Sequence, residues 1–191
     1  MNERSRNAHP GTGAANVGAA KGTPMSVTNT VDVLVQAATV DLFRSYGLAI
    51  APAPKRRASA GVGQPGDIVA SIRFSGSGVS GTLWLVASPE MLQQTRSSGT
   101  RVFQAVDWAR ELVNQLMGRI KNRLLRYQVV VHVEFASAAL RPGSVVFDKG
   151  DVYAFRTLRG EIAVVLAASF DGARFVYSTA ELGSEGDVVL F

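Results

Sequence analysis

The sequence predicts an α+β domain in which long helices pack on one face of a mostly antiparallel sheet. Two observations support this class. Apolar residues recur every three or four positions in two long segments, residues 28–46 and 102–127, which indicates amphipathic helices. Much of the remaining chain alternates apolar and polar residues over short stretches bounded by turn dipeptides, which is typical of antiparallel strands. With 47% hydrophobic and 18% charged residues, the chain has enough apolar material for a core.

The N-terminal third contains a leader, a helix and a loop. Residues 1–26 are rich in small and polar side chains without periodicity, so we expect a disordered leader before a single domain over residues 27–191. The first predicted helix covers residues 28–46 and ends at Gly47. Residues 47–65 are predicted to be a flexible loop because proline and glycine punctuate them.

Strands dominate the rest of the prediction. Residues 67–75 and 79–88 alternate apolar and polar side chains, and the Gly-Ser-Gly turn at residues 76–78 favours a hairpin between them. Ser88 followed by Pro89 is typical of a helix start, so a short helix follows. Beyond the long helix the predicted strands are residues 129–137, 144–148, 152–158, 161–169, 173–178 and 188–191. Arg159-Gly160 and Asp171-Gly172 predict two further hairpins among these strands.

The net charge of +5 does not indicate nucleic-acid binding. Residues 1–60 hold seven Lys and Arg against three Asp and Glu, whereas residues 61–191 hold thirteen against twelve. The basic cluster Lys55-Arg56-Arg57 is interpreted as a solvated loop. A nucleic-acid interface needs a basic stripe on the folded surface with aromatic side chains to stack bases, so we expect no nucleic-acid partner.

The sequence also disfavours a membrane protein, a disulfide framework and a metal site. No apolar run approaches the roughly 18 residues of a membrane-spanning helix, and the polar N-terminus does not resemble a signal peptide. We therefore expect a cytoplasmic protein without membrane contact. The absence of cysteine agrees with this location, and it means that the chain has no disulfide framework. His9 and His132 have no second ligand at a suitable spacing, so no metal site is predicted.

The long helix carries a polar stripe. At about 100° per residue, Asp107, Glu111, Asn114, Gly118 and Lys121 fall within about 40° of one line along the helix. We therefore expect these five residues on the solvent face. The face nearly opposite is apolar and predicted to be buried, and consists of Val113, Leu116, Met117, Ile120 and Leu124.

Gly118 is unusual because glycine inside a helix costs roughly 0.8–1 kcal/mol relative to alanine. Two explanations are open. The missing side chain lets the backbone of another protein approach the stripe, or it lets a neighbouring loop of this same domain pack against the helix.

The stripe resembles the active-site helix of the CheC/CheX/FliY phosphatases of bacterial chemotaxis, which carries Asp-x3-Glu-x2-Asn. Asp107, Glu111 and Asn114 match the three positions, and Gly118 and Lys121 are similar to the CheX subgroup. The strand pair predicted upstream is also similar to the pair that precedes this helix in the family. CheC-type members carry two such helices and this chain carries one, so the resemblance is to CheX and implies a CheC/CheX-like fold.

The resemblance implies a protein phosphatase that hydrolyses the aspartyl phosphate of a CheY-like receiver domain of a response regulator. Asn114 would orient the attacking water and Glu111 would dock the receiver's lysine, while Asp107, Gly118 and Lys121 would bind the receiver. A carboxamide suits the first role because it both donates and accepts hydrogen bonds and is neutral beside a phosphate. The receiver would carry Mg²⁺, and the chain would need no cofactor of its own.

Alternatives remain open for the protein and for three residues. Glu111 and Asn114 are alternatively ordinary surface residues. The chain is alternatively a non-catalytic adaptor that binds receivers, or an interaction module like those of the flagellar switch. Asp107 is alternatively a first-turn charge that stabilises the helix through the helix dipole.

We expect a symmetric homodimer with two outward-facing sites. The predicted strand at residues 161–169 reads EIAVVLAAS and is apolar on both alternating faces, so it belongs at a sheet centre or in a subunit interface. CheX-type relatives form homodimers through their sheets, whereas CheC-type relatives pair two halves within one chain.

Overall fold

The structure is a computed structural model, and it describes residues 26–58, 61–96 and 102–177, without the side chains of residues 102 and 103. The predicted leader, apart from Ser26, and the predicted strand at residues 188–191 lie outside the described residues. Within the described residues the chain is an α+β domain, as the sequence predicts.

Three helices are described, and the first two begin where the sequence supplies capping side chains. They are α1 (Val27–Ser45), α2 (Pro89–Gln93) and α3 (Val102–Leu125). The Ser26 hydroxyl accepts the Asn29 N–H at 3.3 Å, and the Ser88 hydroxyl accepts the Met91 N–H at 3.2 Å, so each satisfies a first-turn donor that has no partner within the helix. Gly47 ends α1 with φ of 75°, a conformation that favours glycine.

The described strands are β1 (Ala51–Pro52), β2 (Arg56–Arg57), β3 (Ile68–Gly76), β4 (Val79–Ala87), β5 (Val131–Val133), β6 (Ser137–Leu140), β7 (Asp151–Thr157) and β8 (Gly160–Phe170). They form one antiparallel sheet in the order β1–β7–β8–β4–β3–β5, with β2 also on β7 and β6 also on β3. Two of the three predicted hairpins are present, β3–β4 through a turn at residues 77–78 and β7–β8 through a turn at residues 158–159.

All three helices lie on one face of the sheet. α1 and α3 lie side by side and antiparallel, since Arg119 of α3 bonds to Ser45 and Arg123 bonds to Asp41, one turn earlier in α1. Their apolar faces share one core with the inward side chains of β3, β4, β7 and β8.

The strand that is apolar on both faces, β8, lies inside the sheet between β7 and β4. One face contributes Ile162, Val164 and Leu166 to the core under the helices. The other contributes Ala163 and Val165 to a second cluster, which residues from the segments around 58–62 and 145–147 cover. Both faces are therefore buried within a single chain, so this strand no longer requires a second subunit.

Three predicted segments differ from the structure. The strand predicted at residues 129–137 is shortened to β5, and a second strand, β6, starts at residue 137 and extends beyond the predicted segment. The two are separate because three residues, 134–136, lie opposite Ile72 and Arg73 of β3, and this one-residue bulge interrupts the pairing. Residues 144–148 form no strand and make one bridge, between Val145 and Val62. Residues 172–174 form a short 3₁₀ helix and residues 175–177 are irregular, so no strand is present at 173–177 and the hairpin predicted at Asp171-Gly172 is absent.

The segment predicted as a loop over residues 47–65 also contains structure. β1 and β2 lie within it, and both pair with the outer edge of β7. Because Pro52 lies in a two-residue edge strand, its missing N–H removes no bond from the sheet centre.

Candidate functional site

The polar stripe of α3 faces solvent. Asp107, Glu111 and Asn114 are exposed, and Gly118 and Lys121 are half-exposed. The opposite face is buried as expected, with Val113 and Leu116 at 0%, Met117 at 1%, Leu124 at 2% and Ile120 at 6% exposure.

The buried face of α3 determines the orientation of the stripe. Leu112, Val113 and Leu116 are fully buried against the sheet and α1. Burying one such side chain contributes about 1.5–3 kcal/mol to stability. Rotating the helix to bury the stripe would expose several of these side chains and lose their contributions at once. The 3.6-residue period then directs Glu111 and Asn114 away from the sheet.

Glu111 is held by a chain of hydrogen bonds. The Gln115 side-chain amide donates to Glu111 Oε1 at 2.8 Å, and the Tyr46 hydroxyl donates to Gln115 Oε1 at 2.7 Å. No described residue bonds to the second carboxylate oxygen of Glu111. Neither Gln115 nor Tyr46 is among the site residues predicted from the sequence. The spacing of four residues on one helix could have indicated the contact between Glu111 and Gln115. Tyr46 follows a different helix, so local spacing could not indicate its contact.

Asn114 lies one turn beyond Glu111, and residues three apart on a helix have Cβ atoms roughly 5–6 Å apart. No described residue hydrogen-bonds to the Asn114 side chain, so its carboxamide donors and acceptor face solvent. The two residues therefore offer a carboxylate and a carboxamide side by side.

Asp107 is not a first-turn charge, which corrects one alternative. α3 begins at Val102, so Asp107 lies in the second turn, beyond the N–H groups that give the helix N-terminus its positive character. Its carboxylate instead pairs with Arg110 at 2.9 Å, and both side chains are about half exposed, at 52% and 43%. Such a surface pair contributes about 0–1 kcal/mol.

Gly118 lies in open space within the described part of the chain. Apart from its chain neighbours and the backbone of its own helix, no atom lies within 4 Å of a Cβ built on it. The structure therefore gives no support to the explanation that a loop of this domain packs against the glycine.

The basic cluster is ion-paired, not free. Lys55 Nζ lies 2.6 Å from Asp32 and 3.3 Å from Asp151, and Arg57 lies 3.2 Å from Asp151. Desolvation lowers the pKa of Lys55, but the hydrogen bonds and charges of the two carboxylates outweigh it, so the pKa is raised above its ordinary value. These pairs attach β2 to α1 and β7.

Other site types find no support in the described residues. No group of three His, Asp or Glu side chains there is arranged to hold a metal ion. Among the helices described, none is both long and apolar enough to cross a membrane.

Comparisons with known proteins identify the fold. No family model matches the sequence, and no curated protein matches it. A CheC-like superfamily protein from Shewanella sp. PV-4 superposes with a TM-score of 0.66 at 13% identity, over 76% of this chain and 99% of that chain. The chemotaxis protein CheX from Desulfovibrio desulfuricans superposes with a TM-score of 0.62 at 15% identity, over 73% of this chain and 99% of that chain.

A more distant match comes from the CheX–CheY–BeF3–Mg²⁺ complex of Borrelia burgdorferi. It has a TM-score of 0.53 and 12% identity, over 74% of this chain and 97% of that chain. At such identities the likeness establishes the fold. The chain has the α+β fold of the CheC-like and CheX chemotaxis proteins, which confirms the fold that the sequence resemblance implies.

Proposed function

We propose that this protein is a phosphatase that hydrolyses the aspartyl phosphate of a CheY-like receiver domain, in the manner of CheX. The observation that carries the proposal is the exposed pair Glu111 and Asn114, one turn apart on the solvent face of α3, in a chain with the CheX fold. The proposal places the protein in the cytoplasm with its receiver.

Asn114 is the proposed water-orienting residue. Hydrolysis of an acyl phosphate needs a water in line with the P–O bond that breaks, and it yields a free carboxylate and inorganic phosphate. The Asn114 carboxamide accepts a hydrogen bond from that water and donates to an oxygen of the phosphoryl group. A carboxylate at this position would repel the phosphate, and the solvent-facing amide is free for the purpose.

Glu111 is the proposed docking residue. Its unbonded carboxylate oxygen is available to a cation of the partner, for which the receiver's lysine is the candidate. Asp107, Gly118 and Lys121 extend the same stripe and would form the rest of the contact. Mg²⁺ would reside on the receiver, so the chain itself would contribute position and hydrogen bonds.

A partner of this kind is supported by one structural neighbour. The Borrelia burgdorferi CheX chain belongs to a complex with CheY, BeF3 and Mg²⁺. We extend that partner class to this chain because the fold is the same and the stripe is exposed.

The decisive experiment follows the decay of phosphorylated receiver domains with and without the protein. We expect the wild-type protein to accelerate the decay and Asn114→Ala to lose roughly 10²–10³-fold of that acceleration, which is typical when one stabilising polar group is removed from a transition state. Binding of the Asn114→Ala protein to the phosphorylated receiver should remain close to wild type. Asn122→Ala is the matched control, since Asn122 is an exposed asparagine of the same helix two turns further on.

Two outcomes would overturn parts of the proposal. Wild-type rates for Asn114→Ala would refute the role of Asn114. A wild-type protein that binds phosphorylated receivers without accelerating their decay would be a non-catalytic adaptor.

A further inference from the structure

The hydrogen bonds around Glu111 have a defined direction. Gln115 gives its amide nitrogen to Glu111 and its amide oxygen to Tyr46. A flipped amide would turn its oxygen toward the carboxylate, which accepts only, so the flipped arrangement loses a bond and gains repulsion. The direction Tyr46 to Gln115 to Glu111 therefore follows from the chemistry of the three groups.

Tyr46 is itself held by other elements. It caps the C-terminus of α1, where its N–H donates to the Phe43 carbonyl at 3.1 Å. Its ring meets Trp108 edge-on, with ring centroids 5.3 Å apart. The Trp108 indole donates to the buried Thr95 hydroxyl at 2.7 Å. The end of α1, the residues after α2 and the first half of α3 thus converge behind one exposed carboxylate.

An exposed glutamate without such support samples several rotamers and loses that freedom when a partner docks. A carboxylate that is already held in one orientation loses less on binding. The bond from Gln115 occupies Oε1 only, and it leaves the second oxygen facing solvent.

We propose that Gln115 and Tyr46 are positioning residues that hold the Glu111 carboxylate ready for the partner's cation. This inference rests on the docking role proposed for Glu111. It assigns to the end of α1, which carries none of the stripe residues, a part in receiver affinity.

The test uses Tyr46→Phe, which removes one hydroxyl and keeps the ring on Trp108, and Gln115→Ala. We expect each variant to bind the phosphorylated receiver about three- to tenfold more weakly, with the turnover of the saturated complex unchanged. Tyr153→Phe is the control, because its hydroxyl also donates to a carboxylate, that of Asp32, away from the stripe. Normal affinity in both variants would overturn the proposal.

A double-mutant cycle separates positioning from general destabilisation. In a Glu111→Ala background the Tyr46→Phe substitution should have no further effect on receiver affinity, because nothing remains to be positioned. An equal loss in both backgrounds would show a merely structural role and refute the proposal.

A measurement without the receiver keeps this inference distinct from the proposed function. In side-chain NMR spectra of the free protein, Tyr46→Phe should shift the Gln115 amide protons and the Glu111 carboxyl carbon, and Tyr153→Phe should leave both in place. Unshifted resonances in Tyr46→Phe would refute the positioning chain. If these resonances shift but the wild-type protein neither binds nor dephosphorylates any receiver, the hydrogen-bond chain from Tyr46 to Glu111 is confirmed and the proposed function is refuted.

Discussion

Replacing Gly118 with alanine should raise stability and lower activity at once. Gly118 lies in the interior of α3 with helical geometry. Apart from its chain neighbours and the backbone of its own helix, no described atom lies within 4 Å of the position that an alanine methyl group would occupy, so alanine introduces no clash inside the chain. The change removes the helix cost of glycine, about 0.8–1 kcal/mol. For a domain of 150–250 residues this corresponds to a rise in Tm of roughly 2–4 °C.

The same methyl group would lie on the stripe proposed to meet the receiver. Forcing an extra methyl group into a close-packed contact costs about 1–3 kcal/mol, which is at least about fivefold in Kd for the phosphorylated receiver. The reverse substitution Ala37→Gly in α1 is the control, because Ala37 is exposed in another helix. It should lower Tm by a similar amount and leave dephosphorylation unchanged.

Thermal unfolding and receiver titration of the two variants test this reasoning directly. A Gly118→Ala protein with higher Tm and undiminished receiver affinity would show that the glycine does not serve a partner's approach. A fall in Tm would show that the space around Gly118 is not open.

Three further predictions concern docking, assembly and charge. Glu111→Ala should weaken binding to the phosphorylated receiver about tenfold, and Glu111→Lys should weaken it more through like-charge repulsion. Normal binding of both variants in a titration would show that α3 is not part of the contact surface. The protein is predicted to sediment as a dimer at micromolar concentration, and a wild-type species at the 20.3 kDa monomer mass would contradict this. Phe135→Glu should give a monomer, because Phe135 is 102% exposed where β5 and β6 form an edge of the described sheet. Because the folded-state pKa of Lys55 lies above its ordinary 10.5, its pairs with Asp32 and Asp151 stabilise the fold fully below that pH and are lost as pH rises through the folded value. Between about pH 9 and about pH 11, the free energy of unfolding measured in urea should therefore fall less in Lys55→Met than in wild type. An equal fall in both proteins would count against a stabilising role for the pairs.

The dimer prediction now depends on a different feature of the chain. The apolar β8 strand that first suggested a subunit interface is buried on both faces within one chain. The exposed edge strands β5 and β6, with Phe135 in the bulge between them, are the surface that a second copy would cover. Residue pattern alone does not distinguish a strand at the centre of a monomer from a strand in an interface, because both bury two faces.

The sequence by itself determined the features that depend on local periodicity. The faces of α3 follow from the angle between successive residues, so the buried set from Val113 to Leu124 and the exposed positions of Glu111 and Asn114 were predictable. The two hairpins were predictable for the same reason, since turn chemistry acts over two or three residues.

Only the tertiary structure decided the contacts between residues far apart in the chain. Tyr46 meets Gln115 across 69 residues, whereas Gln115 meets Glu111 across four. Lys55 bonds to carboxylates 23 and 96 residues away. The segment predicted as a solvated loop is therefore an ion-paired edge of the sheet. Periodicity determines which face of an element is buried, but it carries no information about which element lies beside it. Long-range partners depend on how the elements pack around the shared core, and so the support behind Glu111 emerges only when α1 and α3 lie side by side.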